Sequence, residues 1–114
     1  MIKEDYVSFE VAKLLEEKGF NEPCYTCYLN KELSHYDYLS TNFELIDNAF
    51  SAPTLQMACK WLREVHNIYI WVQPNSCKEG LHDAHVKDTW AGIGYKSYEE
   101  AVEVALKYCL EHLI

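Results

Sequence analysis

Two pairs of side chains in this sequence have the types and spacing that hold a transition metal: Cys24-x-x-Cys27 and His82-x-x-His85. Thiolate and imidazole are the usual ligands of a structural zinc, and a short spacer lets one turn of chain bring both to the same ion. The residues between the cysteines, Tyr25 and Thr26, favour an extended strand, in which positions three apart point to opposite faces. The spacer contains no glycine to form a chelating knuckle, and the histidines stand in a polar stretch where water satisfies them equally well. A zinc module built from Cys24, Cys27, His82 and His85 is therefore the alternative, set against ordinary core cysteines and surface histidines. A thioredoxin-like use of Cys24 and Cys27 would need a helix start whose dipole favours the thiolate, and this segment reads as strand.

Cys77 shares a polar loop with His82, Asp83 and His85, the residue types of a cysteine nucleophile. Neighbourhood in a loop does not by itself set atoms within hydrogen-bond reach. Gly92-Ile93-Gly94 interrupts a strand pattern rather than a strand-to-helix turn, which excludes a phosphate loop. Small residues there let an aromatic ring or another backbone approach closely. No catalytic residue and no cofactor is expected.

These residues must be positioned by a single α+β domain spanning residues 1–114, the size one hydrophobic core supports. Val7, Val11, Leu14, Leu15 and Lys18 recur at helical spacing, with Ser8 as cap, Glu10 in the first turn and Gly19 at the end. Cys24-Tyr25-Thr26-Cys27-Tyr28-Leu29 reads as a strand between Pro23 and Asn30. His35–Leu39 and Phe43–Ile46 each carry a weak strand pattern. Ser51-Ala52-Pro53-Thr54 opens a second helix running to about His66, with Pro53 in the first turn and Ser51 or Thr54 as cap. Its stripe of Leu55, Ala58, Cys59, Leu62 and Val65, widened by Met57 and Trp61, predicts packing on two sides.

Asn67 closes that helix, and Ile68–Gln73 then alternates strictly: Ile68, Ile70 and Val72 on one face, Tyr69, Trp71 and Gln73 on the other. Residues Pro74 to Asp88 read as a long loop, and Thr89–Tyr95 as the second strand of a long-looped hairpin. Ser97-Tyr98-Glu99-Glu100 is a capping box opening a third helix, with Tyr98, Ala101, Val102, Ala105, Cys109 and Leu113 as its stripe. The order α-β-(β)-α-β-β-α predicts an antiparallel sheet of three to four strands with about three helices.

Ten basic against eighteen acidic residues give a net charge of −8, the wrong sign for gripping phosphate backbones, so nucleic-acid partners are not expected. Met1–Tyr6 lacks the apolar segment of a secretory signal, and no run approaches a membrane span, so a cytoplasmic location without membrane contact is expected. Five cysteines, an odd number, fit free thiols in a reducing compartment. The acidic side chains could line a DNA-like negative surface, but acids at helix starts and mixed Glu/Lys faces are ordinary in a soluble protein. Nine Tyr and three Trp are many for this length. Tyr69, Trp71 and Trp90 are too large to stand wet without cause, which marks them as an interaction surface for a protein partner or a second copy.

Three segments together resemble a known group: Tyr6–Ala12 with Lys18-Gly19-Phe20, Ala52–Gln56 leading into Trp61-Leu62-Arg63-Glu64, and Tyr98-Glu99-Glu100-Ala101. They are similar to segments of small proteins encoded in phages and prophages of Bacteroides-type gut bacteria. The resemblance covers about half of the chain and rests on helix-start and helix-core patterns. That group has no assigned activity and no recognised catalytic residues, so the resemblance implies a phage-related accessory protein in the host cytoplasm and transfers no site residue.

Overall fold

The computed structural model describes residues 2–40 and 49–114, with residues 37–40 described through their backbone alone. These residues form three helices and two three-stranded antiparallel sheets, an α+β arrangement with the helices in the expected order. The strands number six among the described residues and are shared between two sheets rather than gathered in one. By compactness the chain divides into two units, residues 1–57 and 58–114.

In the first unit, α1 (Phe9–Glu17) begins where Ser8 accepts a hydrogen bond from the Val11 N–H at 3.2 Å. It ends where Gly19 and Phe20 donate backward to the Glu16 and Leu15 carbonyls, folding the buried Phe20 over the last turn. Val7, expected inside this helix, precedes the cap and instead donates to the Pro53 carbonyl at 3.1 Å. β1 (Cys24–Leu29) is the central strand, flanked by β2 (Glu32–Ser40) and β3 (Ala49–Ser51). Asn30 and Lys31 join β1 to β2 in a two-residue turn with φ of 51° and 69°, whose twist suits a hairpin. Val11, Ala12, Leu15 and Ala52 are buried, Cys27 and Ala49 form a buried cluster against which Leu29 and Tyr36 pack, and the Tyr28 hydroxyl ties β1 to the Val7 carbonyl at 2.7 Å. The strand expected at Phe43–Ile46 lies outside the described residues.

β3 takes Ser51 away from the second helix, which the sequence placed one turn too early. α2 (Leu55–His66) is capped by Thr54, whose Oγ1 accepts from the Met57 N–H at 3.1 Å, so Pro53 sits before the cap rather than in the first turn. Leu55, Ala58, Trp61 and Leu62 are buried, whereas Met57 and Val65 are exposed. The buried stripe is thus narrower than the two-sided packing the sequence suggested. Asn67, at φ 56°, closes the helix.

In the second unit, β4 (Ile70–Pro74), β5 (His82–Val86) and β6 (Thr89–Tyr95) form an antiparallel sheet with β5 in the centre. α3 (Tyr98–His112) packs across all three strands. Its start is the expected capping box: Ser97 Oγ accepts from the Glu100 N–H at 3.0 Å, while the Glu100 carboxylate accepts from the Lys96 N–H at 3.2 Å. Ala101, Val102, Ala105, Leu106, Cys109 and Leu110 are its buried residues; Tyr98, assigned to the stripe, is exposed. No helix among the described residues is long and apolar enough to cross a membrane.

Candidate functional site

The segment read as a loop, His82–Val86, is the middle strand of the second sheet, and this changes what its side chains can do. Pairing sets Ile70 opposite Val86, Val72 opposite Ala84 and Trp71 opposite His85. Alternation then sends Val72, Ala84 and Val86 to one face and Trp71, Gln73, Asp83 and His85 to the other. Ala84 and Val86 are fully buried, which identifies the first face as the one under α3.

On the opposite face, His85 also pairs with Trp90 of β6, so the imidazole lies between two indoles. It stacks on Trp71 with ring centroids 4.7 Å apart and an interplanar angle of 27°, and meets Trp90 edge-on at 3.5 Å. His85 Nδ1 is buried and has no hydrogen-bond partner among the described residues. Tyr69 stands just before β4, where continued alternation would put it on the side of Trp71. Gly92 lies opposite Ala84, which turns the next residue, Ile93, outward. The outer faces of these side chains remain in water: Tyr69 is 56% exposed, Trp71 43%, Trp90 44% and Ile93 61%.

Asp83 is the one carboxylate among the described strand residues of this face, and it is buried. Asn75 Nδ2 donates to its two oxygens at 2.9 and 3.2 Å, and the Gly94 N–H donates at 2.8 Å. Asn75 Oδ1 in turn accepts from the Cys77 and Lys78 N–H groups, at 2.8 and 2.9 Å, which fixes the connection between β4 and β5. Charge-assisted bonds of this kind satisfy the carboxylate internally. The register irregularities between β5 and β6 make this possible, because Gly94 at φ 81° turns its N–H toward Asp83. A Cβ on Gly92 would stand 2.9 Å from the Tyr95 hydroxyl oxygen and closer still to the ring, so the aromatic approach expected at Gly92 is found.

Trp71 and Trp90 thus stand on one sheet face, with Tyr69 just before β4. Sequence reasoning missed Ile93 and the role of His85 beside them. The signal was present in Ala84 and Val86, whose spacing marks a strand with His85 on the side facing away from them. The proposed metal ligands are not brought together. His82 and His85 point to opposite faces of β5, and Cys24 and Cys27 to opposite faces of β1. Cys24 Sγ donates to the Glu22 carbonyl at 3.4 Å and Cys27 Sγ to the Tyr36 hydroxyl at 3.5 Å. Among the described residues no group of three or more His, Cys, Asp or Glu could hold a metal ion. The Cys77 thiol is exposed and meets only the Ser76 hydroxyl, at 3.9 Å, among its described hydrogen-bond contacts. Burial pushes the Cys24 and Cys59 thiols up to about 11 and Cys109 up to about 12, away from any nucleophilic state. Neither a known protein family, nor a curated protein, nor a solved structure matches the chain.

Proposed function

We propose that this chain is a non-enzymatic protein–protein interaction domain, an accessory protein of a phage or prophage acting in the host cytoplasm, with the outer face of β4-β5-β6 as its contact surface. The observation that carries the reading is the cluster of Tyr69, Trp71, Trp90 and Ile93, four large apolar side chains about half exposed on one face. Soluble proteins expose single apolar side chains commonly, but a contiguous aromatic group marks an interface, where Trp and Tyr add large area at low entropic cost. His85, stacked on Trp71 and edge-on to Trp90, holds both indoles in place before any partner arrives, which lowers the ordering entropy of association. The phage setting rests on the three resembling segments of sequence.

Site-specific photo-crosslinking in the expressing bacterium tests this. A crosslinker replacing Ile93 is expected to give a discrete protein adduct, with self or with another chain, that is lost when Trp71 and Trp90 are both changed to Ser. An adduct pattern no different from that of a crosslinker at the exposed helix position Glu111 would overturn the reading.

A further inference from the structure

We infer that the partner of the aromatic face is a second copy of this chain, the two sheets meeting face to face about a two-fold axis. The inference rests on the reading just given and names its partner.

Charge bears on the choice of partner. Two molecules that each carry −8 associate only through a region where like charges are not buried against each other. The acid excess is uneven along the chain: residues 1–57 hold ten acidic and four basic residues, residues 58–114 eight and six. Within the second unit, the aromatic face carries Tyr69, Trp71, His85, Trp90 and Ile93, and its carboxylate, Asp83, is buried under bonds from Asn75 and Gly94. The centre of the patch therefore presents no free anion.

The flanks carry charges of both signs. Lys78 and Glu79 stand in the connection before β5, with Lys96 just after β6 at that same end, and Lys87 and Asp88 form the turn at the other, so both signs of charge stand at each end of the sheet. In a two-fold arrangement the same patch serves both subunits and must complement itself. An aromatic centre without a free anion, flanked at each end by residues of both signs, meets that condition. A basic protein or a single-stranded nucleic acid would call for a patch of one sign instead.

Size sets the strength. Four half-exposed side chains make the centre of an interface smaller than the roughly 800 Å² per partner of a standard complex, so a dissociation constant of about micromolar order is expected.

Sedimentation of the full chain from about 1 to about 200 µM, a range that brackets that constant, is the test. The expected result is a reversible monomer–dimer equilibrium with a blue shift of tryptophan emission on dimerisation. Ile93→Lys and Trp90→Ser should each weaken it at least tenfold while the far-ultraviolet circular dichroism stays that of the parent. A dimer that survives both substitutions uses another surface and overturns the inference. A chain monomeric throughout the range, whose crosslinker at Ile93 still captures a different protein, overturns the second copy but keeps the interaction surface. A monomer without any adduct overturns both. Binding of an oligo-thymidine strand that quenches Trp71 and Trp90 and leaves the chain monomeric would assign the face to nucleic acid instead.

Discussion

At the scale of single residues, the five cysteines divide sharply by environment. Cys24, Cys27 and Cys109 are buried and Cys59 is partly so, while Cys77 stands exposed in the β4–β5 connection. Transfer of a thiolate into such surroundings is unfavourable, and this raises Cys24, Cys59 and Cys109 from an ordinary 9.0 to about 11, 11 and 12. A thiol reagent at pH 8 is accordingly expected to modify one cysteine rapidly in the native chain and the other four only in denaturant. Cys77→Ser should remove the fast phase. The same shifts bear on stability. Below about pH 9 both states hold their thiol protons and nothing changes. Between pH 9 and about 12 the unfolded chain releases them while the folded one retains them, so stability falls as pH rises. Urea midpoints at pH 8 and pH 10.5, measured with reductant, should drop less for Cys109→Ala than for the parent, which isolates the thiol from the tyrosines and lysines titrating nearby.

At the scale of elements, the second sheet shows what sequence patterns carry and what they hide. α1, β1 and the capping box of α3 were legible because each rests on local signals, Ser8 with Gly19, Pro23 with Asn30, and Ser97 with Glu100, and β6 was legible from the alternation of Thr89–Tyr95. The alternation from Tyr69 to Gln73 likewise showed the outer face. β5 was illegible because His82-Asp83-Ala84-His85-Val86 looks polar, and its polar members are accommodated by long-range contacts. Asp83 depends on Asn75 and Gly94, and His85 on Trp71 and Trp90. The turn after β5 was hidden too, since Lys87 takes a φ of 55° that glycine or asparagine usually signals. β3 has three residues, too few for any periodicity. Where the sequence did speak through glycine, the expectation is quantitative. Gly92→Ala must displace the Tyr95 ring, and a cost of about 1 kcal/mol follows from overpacking of this kind. In a Tyr95→Ala background the same substitution should be close to neutral, so a double-mutant cycle by chemical denaturation reads the contact directly.

At the scale of the whole molecule, net charge decides how association responds to salt. Two copies at −8 repel at long range, and that repulsion weakens as the Debye length falls from about 30 Å at 0.01 M to about 8 Å at 0.15 M. A contact made through Tyr69, Trp71, Trp90 and Ile93 carries no ion pair at its centre, so screening removes the repulsion and leaves the attraction nearly intact. The dimer is therefore expected to tighten several-fold as salt rises over that range. A basic protein or a nucleic acid on the same face would show the opposite sign, because there the attraction itself is coulombic. Sedimentation at the two ionic strengths distinguishes these cases. Loosening with salt would mean that Lys78, Glu79, Lys87 and Asp88, rather than the aromatic centre, hold the copies together.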